Sequence, residues 1–295
     1  MSLSFLKFTC ALLAVCWCGI SFHLGVAARL EEEGNNSNSG VGIPVVVNTW
    51  PFTVATKEAW RVLVSTDDAL SAVEKGVSAC EDAQCDGTVG WGGSPDEICQ
   101  TTLDAMIMNG DTFEVGAAVD LHAIRDAIST ARLVMEYTNH TMLAGRDADA
   151  FALGMGMKQS SLVSNHSREL CAQWKAKDCQ PNYRRNVFPN PRESCGPYKR
   201  KERELIDTRK AEAPAGHFGR NNHDTIAMIG INTKGTIVSG TSTNGAIHKV
   251  PGRLADSGVP GSGSYADSEV GGCGATGDGD VMMRFVPCYQ VVESM

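Results

Sequence analysis

Thr225 stands where Asn221-Asn-His-Asp-Thr-Ile-Ala-Met-Ile-Gly230 passes from a polar segment into a short apolar block. Asp or Thr ahead of an apolar run is an ordinary helix cap. Here, however, Ile226, Ala227, Met228, Ile229 and Ile231 form the compact block expected of a strand covered on both faces. A threonine hydroxyl is a weak nucleophile until a base takes its proton. If the chain is cut between Asp224 and Thr225, the new α-amino group of Thr225 becomes that base, directly or through water. Such an amine titrates near ~7.7 to 8.0 in simple peptides, against ~10.4 for lysine, so it is partly neutral at working pH. The same hydroxyl can make the cut, because attack on the preceding carbonyl turns the peptide into an ester that water opens. Asp224 is placed to assist that step.

Other chemistries fit less well. His217, His223, Asp224 and Asp278 lack recognisable metal-ligand spacing. Gly261-Ser-Gly263-Ser-Tyr-Ala266 loosely matches a dinucleotide pattern, but no βαβ frame precedes it and no Gly-Lys-Ser/Thr follows. Tight turns at sheet edges explain the glycines from Gly258 to Gly263 and Gly271 to Gly279 better. A net charge of -8 argues against nucleic acid, which needs clustered lysine and arginine.

The elements around Thr225 are legible as alternating patterns. Ile43 to Asn48 reads as a buried strand, and Thr56 to Val64 and Asp67 to Cys80 as helices, the second capped by Asp67. Leu103 to Met108 and Thr112 to Val119 make strands joined through Asn109-Gly110-Asp111, a hairpin signal. Asp120 to Tyr137 shows one apolar helical face, and two more helices are expected between Asp147 and Lys177. Residues 178–224 form an irregular excursion followed by a cleavable linker. Thr225 to Ile231 and Gly235 to Gly240 make a second hairpin, and Gly279 to Met295 a final helix. The class is α+β, with a sheet core covered by helices.

At the amino end, Lys7, the apolar run Phe8 to Val26 and the small residues Val26-Ala27-Ala28 read as a secretory leader over residues 1–28, against an uncleaved anchor. A soluble protein without a stable membrane anchor is then expected, maturing in an oxidising compartment. Cys10, Cys16 and Cys18 leave with the leader, and the other cysteines form an even set. Cys80 with Cys85 closes a local loop, and Cys179 with Cys195 brackets the Pro/Asn-rich excursion, while Cys99, Cys171, Cys273 and Cys288 have open connectivity. Sequons at Asn35, Asn139 and Asn165 would accept glycans in the lumen.

Several blocks carry a resemblance: Asn48-Thr-Trp-Pro-Phe52, Cys85-Asp-Gly-Thr-Val-Gly90, Gly92-Gly-Ser-Pro-Asp-Glu97, His223-Asp-Thr-Ile226, Gly240-Thr-Ser-Thr-Asn-Gly245, Pro251-Gly-Arg-Leu-Ala-Asp256 and Gly274-Ala-Thr-Gly-Asp-Gly-Asp280. Their order resembles the glycosylasparaginase family of N-terminal nucleophile hydrolases, from Ile43 to the last residue. The resemblance implies a four-layer αββα sandwich and a precursor that cleaves itself before Thr225. Residues 43–224 would give an α chain and residues 225–295 a β chain that stay together, in an (αβ)2 assembly. It implies hydrolysis of the side-chain amide of N4-(β-N-acetylglucosaminyl)-L-asparagine in a lysosome or vacuole, without cofactor or metal. Isoaspartyl peptides and free asparagine are the alternative substrates.

Carried over residue by residue, Thr225 would be the nucleophile and Thr243 would hydrogen-bond it. Arg253 and Asp256 would hold the α-carboxylate and α-amino group of the substrate, roles that suit a planar fork and a counter-charge. The Thr276 hydroxyl and Gly277 N–H would form the oxyanion hole, Trp50 would line the sugar side, and Thr88 stands where serine is common. Family members extend beyond the position of Met295, so an inactive shortened product that only binds full-length subunits is the competing expectation.

Overall fold

The computed structural model describes residues 23–29, 43–202 and 225–295. Residues 1–22, the Asn35 sequon and residues 203–224, with His217, His223 and Asp224, lie outside the described residues. The first half contains strands β1 (His23–Arg29) and β2 (Val45–Asn48), helices α1 (Thr53–Thr66) and α2 (Ala69–Ala83), and strands β3 (Leu103–Asn109) and β4 (Val115–Leu121). Helix α3 (Ala127–Tyr137), strand β5 (Met142–Ala144), helices α4 (Gly145–Gly154) and α5 (Asn165–Lys175), and the short strands β6 (Val187–Phe188) and β7 (Lys199–Arg200) follow. After the linker come β8 (Ile226–Ile231), β9 (Ile237–Thr243), β10 (Ser264–Asp267), β11 (Gly271–Thr276), α6 (Gly279–Met282) and α7 (Pro287–Glu293).

Burial on both faces decides where β8 sits. It lies inside a six-stranded sheet of order β2-β8-β9-β3-β4-β5, with every one of its residues buried. All neighbouring pairs are antiparallel except β4 with β5. Along β8, Ile226 and Met228 join the helix-side core formed with α1, α2 and α3, whereas Ile229 and Ile231 join a second cluster with Met108, Ile237 and Ala266. This is the period-two alternation of a strand with two apolar covers. Helix α2 packs on β8 and β9, and α3 on β3 and β4.

The three-stranded sheet β1-β11-β10 packs on the other face of the large sheet, and α7, with Met282 of α6, covers its far side in a cluster of Cys273, Ala275, Met282, Cys288 and Val292. Its strands correct the reading of the late glycines as turns. Residues 271–274 lie within β11, and a Cβ at Gly272 would stand 2.9 Å from Ile237 Cγ2 and 3.0 Å from Ile229 Cγ2. At Gly274 it would stand 2.7 Å from the Cβ of Ala227. Only hydrogen at these positions lets the two sheets approach so closely. Strand β1 overlaps the segment read as a leader, over residues 23–28. There it pairs antiparallel with β11, Ala27 opposite Cys273.

Three helix boundaries also differ from the sequence reading. The cap of α2 is Asp68, whose carboxylate accepts the Leu70 N–H at 3.0 Å and the Ser71 N–H at 3.1 Å, while Asp67 ends α1. Residues 120–121 continue the strand region, and α3 begins at Ala127, where the Asp126 carboxylate accepts the Ser129 N–H at 3.1 Å. The apolar spacing of Gly279 to Met295 spans two helices, since Val286 takes a left-handed φ of 45° and Pro287 opens α7. The expected bridges Cys80–Cys85 and Cys179–Cys195 are present, and the open pairings resolve as Cys99–Cys171 and Cys273–Cys288.

Candidate active site

Thr225 precedes β8 and is buried, with φ at 88°. That region is rarely entered by a β-branched residue, and such strain costs of order 1–3 kcal/mol. Its carbonyl accepts the Thr49 hydroxyl at 3.4 Å, and the Thr49 oxygen in turn accepts the Ala227 N–H at 3.0 Å. The end of β2 thus clamps the start of β8, and Trp50 is the next residue after this clamp. Trp50 has φ at 61° and packs against the helix-side core.

Register places Thr243. Ile226 pairs with Ser242, so one further step sets Thr243 opposite Thr225. The Thr243 hydroxyl accepts the Gly245 N–H at 2.9 Å. In this structure the hydroxyl that reaches Thr225 Oγ1 belongs to Ser257, at 3.4 Å. Ser257 is fully buried, and its carbonyl accepts the Thr241 hydroxyl at 2.6 Å. Sequence reasoning passed over Ser257, although it follows Asp256 directly.

Thr276 ends β11 and is buried, and Gly277 follows at φ 150°. Gly272 faces Ile229 and Gly274 faces Ala227, so each two-residue advance along β11 moves two residues back along β8. By the same register, the next step along β11 runs from Thr276 toward Thr225. Beyond it, a Cβ on Gly279 would press on Asp256 Oδ1 while standing 3.2 Å from Arg253 Nη2. A Cβ on Gly245 would stand 3.0 Å from Arg253 Nη1 and 3.1 Å from Lys249 Nζ. Arg253, Asp256 and the glycine-rich end of β11 therefore meet the end of β9 in one place. Thr88 reaches it through the backbone, since its carbonyl accepts the Asn244 N–H at 2.8 Å. Its hydroxyl donates to Asp86 Oδ1 at 2.6 Å.

Three buried ionisable side chains brace this arrangement, and none carried a local signal in the sequence. Asp104 accepts the Ala255 N–H at 2.8 Å and the Asp120 N–H at 2.6 Å, which fixes the loop that bears Asp256. Lys249 is 1% exposed and donates to the Asn244 carbonyl at 2.7 Å. Burial pushes its ammonium below the usual lysine range, against the pull of the Asp104 carboxylate. Glu81 accepts the Ala127 and Ile128 N–H groups and the Ser242 hydroxyl, linking the start of α3 to β9. Burial pushes its carboxyl well above the usual range, with the Asp126 charge adding to the shift.

The excursion covers the outer side of the same loop. His248, next to Lys249, stacks on Trp174 of α5 with ring centroids 4.5 Å apart, and Cys99–Cys171 staples α5 to the segment before β3. Arg184 pairs with Glu97, whose N–H donates to the Lys249 carbonyl at 3.0 Å. Among the described residues no group of three or more His, Cys, Asp or Glu side chains is arranged to hold a metal ion, and no helix is long and apolar enough to cross a membrane.

The chain is similar to known proteins over most of its length. A family model described as asparaginase matches residues 33–295. The N(4)-(beta-N-acetylglucosaminyl)-L-asparaginase of Rattus norvegicus is 51% identical over 253 residues, covering 86% of this chain and 72% of the rat protein. The Mus musculus protein of the same name is 50% identical over 255 residues, with 86% and 72% covered. A Drosophila melanogaster protein given that name provisionally is 52% identical over 265 residues, with 88% of this chain and 67% of its own length covered.

Proposed function

Since the chain belongs to the asparaginase family, we propose that it is a self-cleaving amidohydrolase. Its substrate is N4-(β-N-acetylglucosaminyl)-L-asparagine, hydrolysed at the side-chain amide to release aspartate. The names of the rat and mouse relatives support the substrate. The observation that carries the reading is the Ser257–Thr225 hydroxyl contact at 3.4 Å, with Thr243 opposite in register and Arg253 and Asp256 meeting across Gly279.

In the precursor, Thr225 Oγ attacks the Asp224 carbonyl, and water opens the resulting ester. The left-handed φ of Thr225 favours this cut, because an amino-terminal residue has no φ to constrain. In the processed protein the α-amine takes the hydroxyl proton as Oγ attacks the substrate amide. The Thr276 hydroxyl and Gly277 N–H hold the oxyanion. Donors of this kind contribute ~2.7 to 4 kcal/mol. The amine then protonates the departing glycosylamine, and water hydrolyses the β-aspartyl ester. Arg253 and Asp256 hold the α-carboxylate and α-amino group, and Trp50 lines the sugar side.

The packing of helices, large sheet, small sheet and α7 supports a four-layer αββα sandwich split into residues 43–224 and 225–295. The disulfides support passage through an oxidising secretory route to a lysosome or vacuole, and an (αβ)2 assembly completes the reading.

Incubation of purified precursor, followed by amino-terminal sequencing, should give a new chain starting at Thr225. Thr225→Ala should stay intact and inactive, and Thr225→Ser should retain part of both steps. Aspartate release should be most efficient from the glycosylated substrate. Higher kcat/KM on an isoaspartyl dipeptide or on asparagine would transfer the assignment to that substrate, and full amidase activity in Thr225→Ala would refute the mechanism.

A further inference from the structure

The Ser257 hydroxyl donates to Thr225 Oγ1 at 3.4 Å, so it touches the atom assigned as nucleophile. Packing fixes its place. Ser257 is the middle residue of a short 3-10 turn, Asp256–Gly258. Its carbonyl accepts the Thr241 hydroxyl at 2.6 Å, and the Ala255 N–H just ahead of the turn donates to Asp104 at 2.8 Å. A Cβ on Gly263 would stand 2.7 Å from Ser257 Cα, and one on Gly258 would stand 2.2 Å from Val119 Cγ1, so the turn has little room to shift. Thr241 pairs with Ala227, two residues past Thr225, and Ala227 meets Gly274 of the small sheet. Ser257 therefore approaches the large sheet from the face that carries the small one, and it is fully buried there.

A spacing of 3.4 Å is long for two neutral hydroxyls, which settle at about 2.7–2.8 Å. The contact is thus weak while Thr225 Oγ1 keeps its proton. It strengthens once that oxygen gains charge, because hydrogen bonds to an ionised acceptor are shorter and about twice as strong. An interaction that grows as the reaction proceeds lowers the barrier, whereas one already at full strength would not. We propose that Ser257 is a catalytic hydrogen-bond donor to the nucleophile oxygen, stabilising the charge on Thr225 Oγ1 at both ends of the reaction. In the first step the α-amine takes the Thr225 hydroxyl proton as the Oγ1–carbon bond forms. In the last, water adds to the ester, the Oγ1–carbon bond breaks with its electron pair returning to Oγ1, and the amine gives that oxygen a proton. Ser257 keeps its own proton throughout. The same donor serves Oγ1 during attack on the Asp224 carbonyl.

This inference rests on the role given to Thr225 above. A buried hydroxyl that pairs with its nearest polar neighbour for packing alone is the competing account, and its loss would leave the reaction rates as they are.

The test compares Ser257→Ala and Ser257→Cys with wild type, as precursors for the rate of self-cleavage and, once processing is complete, for kcat on the glycosylated substrate. Calorimetry reads L-aspartate binding, and circular dichroism melting reads the fold. In Ser257→Ala both rates should fall about 10- to 100-fold, the range for losing a hydrogen bond to a charged group. Aspartate affinity should stay within about threefold, because the donor acts on the nucleophile and not on the aspartyl head. Ser257→Cys keeps the shape with a weaker donor and should lose about tenfold in both rates. It carries the same readings if Ser257→Ala does not fold. Rates within about threefold of wild type in a folded variant, or an aspartate affinity that falls in step with the rates, would overturn the proposal. A wild type that stays uncleaved and inactive would remove the function proposed above and this inference with it. An active wild type beside an equally active Ser257→Ala would remove this inference alone.

Discussion

Replacing Gly279 with alanine is a sharp probe of the recognition geometry, because one methyl group would touch both residues assigned to the substrate's head. The new Cβ would stand 3.2 Å from Arg253 Nη2 and 3.1 Å from the Asp256 backbone nitrogen, and closest of all to Asp256 Oδ1. To restore an ordinary spacing of ~3.5 Å, the carboxylate would have to retreat by about 1 Å. Asp256 cannot yield easily on its backbone side, since Asp104 holds the preceding Ala255 N–H at 2.8 Å. A misplacement of ~1 Å in a positioning group costs about a hundredfold in rate, or ~2.7 kcal/mol of transition-state stabilisation.

Stability should move less. Crowding of this kind costs ~1–3 kcal/mol, whereas alanine in place of glycine in a helix contributes ~1 kcal/mol in the other direction. Gly279 opens α6, so both effects apply. The expected variant is folded, self-cleaving and about a hundredfold lower in kcat/KM. Circular dichroism melting, amino-terminal sequencing and aspartate-release kinetics on one preparation measure the three properties. A folded, processed variant whose kcat/KM stays within about threefold of wild type would refute the placement of Asp256 and Arg253 around this glycine.

Two further expectations concern the scaffold. Burial raises the Glu81 carboxyl well above its ordinary value of 4.5, so the folded protein binds that proton more tightly than the unfolded chain does. Its contribution to stability is therefore fully present below pH 4.5 and is lost as pH rises through the folded value. The melting temperature of Glu81→Gln, measured against pH from 4.5 to 7.5, should lack this component, and a difference from wild type that runs in the opposite sense would refute it. Cys99–Cys171 closes a loop with a sequence separation of 72, for which chain entropy gives about 4 kcal/mol. Double replacement by serine should lower the melting temperature by several degrees, and an unchanged melt would argue against the pairing.

Legibility followed the range of the interaction that shaped each element. Strand β8 could be read because both covers impose apolar residues on six consecutive positions, and the early helices because each keeps a one-sided apolar face. The start of α3 was misread, since Leu121 and Ile124 continue the apolar spacing of the helix although β4 still claims the first of them. Ser257, Asp104 and Lys249 had no local signature, because their partners come from distant strands or from another turn.

The late glycines show most clearly why composition alone misleads. Glycine marks a turn when the backbone needs a left-handed φ, as Gly245 and Gly261 do at 73° and 83°. It marks a close approach when another chain segment fills the space of a side chain, as at Gly272, Gly274 and Gly279. The two causes leave the same letter in the sequence, and only the packing partner separates them. In this protein the second cause acts twice along one short segment. Gly272 and Gly274 let β11 descend onto β8, which carries Thr276 toward Thr225, and Gly279 admits Asp256 and Arg253 beside it. Close packing of the two sheets and assembly of the proposed recognition site are thus one structural event, so a side chain added at Gly274 should disturb catalysis as well as stability.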